Sequence, residues 1–158
     1  MYRRSIFRIC GLVAAGLLAL SNSAAAQVEQ KSTKDLIAGS WTLMIADNVR
    51  GDGNKVPGFG PLPKGTARFG ADGRYSLELT PNSSSHAALS YSGGYTVDDA
   101  GKTLTLRVEE SSLPNWRGTT QTGTVKFVNG DHLGWTSSVP LVASEDFTGT
   151  ELIWERAK

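Results

Sequence analysis

The chain has 158 residues, with 16 Lys and Arg against 15 Asp and Glu, a formal net charge of +1 and a single cysteine. That balance argues against a nucleic-acid binder or a protein held on an anionic membrane surface, since both need clustered basic residues. One cysteine rules out a disulfide framework within the chain, so a packed core must hold the fold, and a chain of this length can build one.

Taken in order, residues 1–26 read as a secretory signal. Arg3, Arg4 and Arg8 make a basic start, residues 9–20 are apolar, and the small segment that follows ends Ala24-Ala25-Ala26. The apolar run falls short of the ~20 residues that span a bilayer, and the Ala-x-Ala ending predicts cleavage after Ala26. Cys10 lies inside the apolar run, away from the cleavage point, which argues against a lipid anchor through it. Cleavage takes three of the 16 basic residues and leaves 13 against 15 acidic ones on a cysteine-free mature chain. The expected destination is the periplasm or the exterior, as a monomer with no stable membrane insertion after cleavage.

Residues 27–34 are polar and read as a flexible lead-in, with one domain over 35–158. Asp35-Leu36-Ile37-Ala38 predicts a single helical turn, capped by Thr33 or Asp35. Beyond it, apolar and polar residues alternate, the mark of strands with one buried face. Trp41, Leu43 and Ile45 share the first such face, Ala67 and Phe69 the second, and Tyr75, Leu77 and Leu79 the third. Leu89, Tyr91, Tyr95 and Val97 follow, then Leu104, Leu106 and Val108. Val125 with Phe127, Leu133 with Trp135, and Leu152 with Trp154 complete the set. Eight short strands and almost no helix predict an all-β fold, an eight-stranded up-and-down antiparallel β-barrel, with a two-sheet sandwich as the alternative.

The connections alternate in length. Gly70-Ala71-Asp72-Gly73, Asp98-Asp99-Ala100-Gly101 and Asn129-Gly130-Asp131 are tight turns built from residues that tolerate positive φ. The other four, residues 50–64, 81–86, 111–118 and 139–146, are long. In a meander, alternate connections fall at opposite ends, which predicts a closed floor and an open rim. Gly39-Ser40-Trp41 leaves the floor and Trp154-Glu155-Arg156 returns to it, so the Arg156 guanidinium is expected over the Trp41 indole.

A barrel of this size holds either packed side chains or one small ligand. Ile45, Leu79, Tyr91, Val108 and Trp135 are expected to line its upper interior, and Gln121, of inward parity, to offer a polar handle near the mouth. The first rim loop carries Val56, Phe59 and Leu62 as a candidate apolar lid, with glycines for hinge motion. Trp116, in Pro114-Asn115-Trp116, either packs back on the barrel or faces the mouth. The glycine pair of Tyr91-Ser92-Gly93-Gly94-Tyr95 predicts a bend that helps the barrel close.

Catalytic signals are sparse. His86 and His132 fall at opposite ends and cannot share a metal, and no Asp, Glu or His set has ligand spacing, so neither metal nor cofactor is expected. His86 follows Ser83-Ser84-Ser85, yet adjacent loop residues rarely form a nucleophile and its base. Glu109 and Glu110, neighbours on a strand, face opposite sides.

Asp35-Leu36-Ile37-Ala38-Gly39-Ser40-Trp41-Thr42-Leu43 resembles the opening of the bacterial lipocalin-like domain family. Pro63-Lys64-Gly65, Asp72-Gly73-Arg74-Tyr75-Ser76, Tyr91-Ser92-Gly93-Gly94-Tyr95-Thr96-Val97-Asp98, Ser112-Leu113-Pro114-Asn115-Trp116-Arg117-Gly118-Thr119 and Trp154-Glu155-Arg156 extend the resemblance, in order, over residues 36–156. It implies a lipocalin-like, calycin-type barrel and no general activity. Two departures stand out: family members usually carry an Arg where this chain has Gly123, and many have a His on the preceding strand, absent from residues 104–108. Both argue against a polar, family-type interior site and favour an apolar or vestigial cavity here.

The reading that follows is an exported carrier of a small hydrophobic molecule, with Phe59 and Trp116 as gates, Leu79, Tyr91, Val108 and Trp135 as walls, and Gln121 orienting. One alternative is an enzyme of isomerase or cyclase type on the same barrel, with His86 or Tyr91 moving a proton. The other is a pocketless barrel that works through its surface.

Overall fold

The computed structural model describes residues 31–82 and 87–158. The predicted signal segment and His86 lie outside the described residues. A short helix α1 (Thr33–Ile37) precedes β1 (Gly39–Arg50), β2 (Lys55–Pro57), β3 (Lys64–Phe69), β4 (Arg74–Thr80) and β5 (Leu89–Asp98). Then come β6 (Thr103–Ser111), a 3₁₀ turn (Pro114–Trp116), β7 (Thr120–Val128), β8 (His132–Ser137) and β9 (Phe147–Arg156). From β3 onward each strand pairs antiparallel with the next, β3 also pairs with β1, and β9 returns to β1 with Trp41 opposite Arg156 and Asn48 opposite Thr150. The sheet therefore closes into the eight-stranded barrel that the alternation predicted. The ninth strand, β2, stands outside the ring as a hairpin return on the far end of β1, with Val49 opposite Lys55.

Alternate residues of the ring fill its interior, and Leu79, Leu106 and Leu152 are fully buried there. Each such side chain contributes about 1.5–3 kcal/mol by leaving water. Two bulges shape the wall. On β1, Leu43 faces Trp154 and Ile45 faces Ile153, so Met44 is an extra residue. The bulge reverses the parity beyond it: Ala46 and Asn48 turn inward, and Ile45 is 39% exposed. Ile45 is therefore on the outside, a correction to the expected interior lining. The second bulge falls where the glycine pair predicted a bend, with Ser92 opposite Glu110 and Gly93 opposite Val108. The extra residue there is Glu109, which pairs with Arg74 through both carboxylate oxygens at 2.9 and 2.8 Å.

The floor is sealed by α1. Its cap is Ser32, whose Oγ accepts from Asp35 N at 3.1 Å while Asp35 accepts from Ser32 N at 3.3 Å. Thr33, one of the two expected caps, is instead buried inside the helix. Its N–H donates to Asp99 Oδ1 at 2.6 Å and its Oγ1 accepts from Lys102 at 3.1 Å. Hydrogen bonds from Thr33, its hydroxyl first and its N–H second, hold the Asp99 carboxyl below its usual range. At the helix end, Trp41 Nε1 donates to Ile37 O at 2.8 Å. Arg156 donates to Ala38 O at 3.2 Å and Leu36 O at 2.7 Å, with its guanidinium 4.2 Å from the Trp41 ring centroid. Gly39 has φ +134°, and a Cβ there would lie 2.9 Å from Arg156 Nη1. The opening Gly-x-Trp and the closing Arg are thus one structure.

Candidate functional site

The rim loops fold over the end opposite α1. After β2 the chain dips toward the barrel, with Gly58 N donating to Ala46 O at 2.8 Å. Phe59 enters the mouth, where it is 3% exposed and part of the core. Its carbonyl accepts from Asn82 N at 2.8 Å, joining the first rim loop to the second. From the fourth loop, Leu141 is buried and Val142 packs on the core. Asn48 holds them: it is 1% exposed, and its Oδ1 accepts from Leu141 N at 2.9 Å and Val142 N at 3.4 Å. From the third, Trp116 packs back edge-on against Tyr91, with centroids 5.4 Å apart. Of the three residues expected as a lid, only Phe59 turns in. Gly60, at φ +89°, carries the chain out of the mouth, and Leu62 beyond it is 72% exposed.

Beneath this roof lie most of the residues expected to line the interior. Leu79, Tyr91, Val108 and Trp135 are all buried in the same core as Phe59, and Gln121 is buried on β7 opposite Leu106. Gln121 thus keeps its inward parity. Among the described residues, two polar side-chain atoms of this interior are buried without a hydrogen-bond partner: Tyr75 Oη and Trp135 Nε1. The Tyr75 and Tyr91 rings meet edge-on, centroids 6.0 Å apart. Burial, reinforced by the Glu109 charge for Tyr75 and by Tyr75 itself for Tyr91, pushes both phenols above their ordinary range. Both remain protonated at neutral pH and can act as donors.

Trp135 has a built seat. A Cβ at Gly123 would collide with its Nε1 and with the Thr136 carbonyl oxygen. The indole therefore lies along the inner wall in the room that a side chain at position 123 would need. No side chain larger than hydrogen at position 123 can share that space with this tryptophan.

Residues 82–157 match the family model of the lipocalin-like domain. The closed eight-stranded antiparallel barrel fits a lipocalin-like fold. Two solved structures are similar in outline: a redesigned β-barrel (13% identity, TM-score 0.47) and a designed fluorescence-activating β-barrel (15% identity, TM-score 0.46). Each aligns with 81% of this chain and 100% of its own. No match is found among curated proteins.

The lipocalin-like barrel also carries a groove of about 720 Å³ on its outer wall, bordered by Ser40, Thr42, Arg68, Ser76, Glu78 and Ser90. It is open to solvent, and the unpartnered buried donors belong to the inner wall instead. Two site residues escape a reading of the sequence. Asn48 is hidden by the Met44 bulge, which alone gives it inward parity. Tyr75 is legible as core, but its hydroxyl stands out only once the surrounding walls are seen to offer it no acceptor.

Proposed function

We propose that this lipocalin-like barrel is an exported, monomeric carrier that holds a small hydrophobic molecule inside the barrel beneath Phe59. The observation that carries the reading is Phe59 itself, a loop-borne aromatic seated in the mouth between Gly58 and Gly60. A loop side chain in that position occupies the place an apolar ligand would take and closes the site when empty. Lifting it out exposes one buried aromatic, about 1.5–3 kcal/mol, so the open form is a minor state that a ligand can select.

The enzyme reading has less support. His86 lies outside the described residues, and Tyr91 has no buried base beside it: among the described residues, the buried polar side chains are Thr33, Asn48, Gln121, Ser137 and Thr150, together with the aromatic Tyr and Trp groups. None of these serves as a general base at neutral pH. Export remains part of the proposal and rests on the charged, apolar and small-residue pattern of residues 1–26.

Two measurements test the carrier reading. Native mass spectrometry of freshly purified protein is expected to show a co-purified small molecule. Phe59→Ala is expected to bind a hydrophobic dye roughly ten- to a hundredfold more tightly than the wild type, because the cost of vacating the mouth is removed. If neither protein binds apolar probes and nothing co-purifies, the carrier reading is wrong.

A further inference from the structure

Building on the carrier reading, we infer that the bound molecule is uncharged and carries a hydrogen-bond acceptor such as a ketone or ester oxygen, and that Trp135 Nε1 donates to it. Three observations carry this. Trp135 is 3% exposed, and its Nε1 is buried with no partner. An indole N–H is a donor only, so the missing complement must be an acceptor. Buried polar groups in native proteins are satisfied as a rule, and an exception asks for an explanation.

The ring is also held in place. Gly123 leaves room for the indole and for nothing else, since a Cβ there would meet Nε1 itself. A donor fixed by its seat is what orients a ligand.

The charge inventory excludes an anionic ligand such as a fatty-acid carboxylate. Among the described residues no buried side chain carries a formal charge at neutral pH. Arg156 is at the floor and committed to Leu36 O and Ala38 O. A carboxylate inside would be desolvated with no counter-charge, which is far costlier than burying a carbonyl. Tyr75 Oη offers a second unpartnered donor to a ligand long enough to reach it.

The test compares three probes of equal length, a medium-chain alkane, the corresponding methyl ketone and the corresponding carboxylic acid, by dye displacement at neutral pH. The full protein and Trp135→Phe, which keeps a ring and removes the donor, are both titrated. The expected result is a ketone bound about tenfold more tightly than the alkane by the full protein, the worth of one buried hydrogen bond. In Trp135→Phe that preference vanishes: ketone and alkane bind alike, whatever the change in their common affinity. The Trp135 indole N–H resonance provides a readout that needs no variant: it shifts downfield with the ketone and not with the alkane. Equal binding of ketone and alkane with an unmoved resonance would overturn the donor role and leave the carrier reading standing. Acid bound as tightly as ketone would overturn the neutral-ligand assignment. Failure of all three probes would sink the carrier reading, and this inference with it.

Discussion

Arg156 offers the sharpest test of how the ends of the chain close the barrel. Its guanidinium makes two hydrogen bonds to the carbonyls at the end of α1 and lies 4.2 Å from the Trp41 ring centroid. A charged hydrogen bond contributes about 1.5–3 kcal/mol when buried, and less here because Arg156 is only partly buried and water can replace it; about 0.5–1.5 kcal/mol each is a fair allowance. The stacking on Trp41 adds about 0.5–1 kcal/mol. Arg156→Ala should therefore lose roughly 1.5–4 kcal/mol, read as a lower urea midpoint at unchanged slope. Arg156→Lys should lose about half of that, because an ammonium keeps the charge over the indole but has no planar fork for two carbonyls. Helix α1 has five residues and cannot stand alone, so its amide protection should fall in step. A double-mutant cycle with Trp41→Phe isolates the pairwise coupling. Arg156→Ala within ~0.5 kcal/mol of wild type would refute the plug, since an exposed surface arginine behaves that way.

Two further outcomes follow from the inner wall. Gly123→Ala forces its methyl into Trp135 Nε1 and the Thr136 carbonyl, and should cost about 1–3 kcal/mol in thermal melts. Trp135→Leu in the same background should recover only part, because the backbone carbonyl stays; a Gly123→Ala protein as stable as wild type would show that the indole has other room. The buried phenols set an alkaline limit. Burial raises the folded-state pKa of Tyr91 and Tyr75 above the ordinary 10.0. The folded state then keeps protons that the unfolded state gives up. Their contribution to stability is full below pH ~10 and is lost as pH rises beyond it. Tyrosinate absorbance from these two should appear together with unfolding, and Tyr91→Phe should move the alkaline midpoint upward. Ionisation of both phenols while the barrel remains folded would contradict their burial.

The repeating alternation from Trp41 to Trp154, with long and short connections in turn, was enough to predict the barrel, its floor and its rim. A period of two has a single meaning for a strand with one buried face, and hairpin lengths decide which end each loop occupies. The same logic placed Leu79, Tyr91, Val108, Gln121 and Trp135 inside. It failed at Ile45, because a one-residue bulge at Met44 reverses parity and leaves no local signature. It also spread the lid over Val56, Phe59 and Leu62, where loop composition cannot say which apolar residue turns in.

What the sequence determined by itself is the closure: Gly39, Trp41 and Arg156 are read from the two ends of the domain, and antiparallel pairing of first and last strands brings them together. The character of the interior is set by contacts between strands far apart in the chain. Whether a donor is satisfied depends on which atoms from other strands come within 3.5 Å of it, and those atoms are remote in sequence. The unpartnered Trp135 Nε1, its seat over Gly123 and the absence of buried charge among the described residues emerge only when all eight strands are in place.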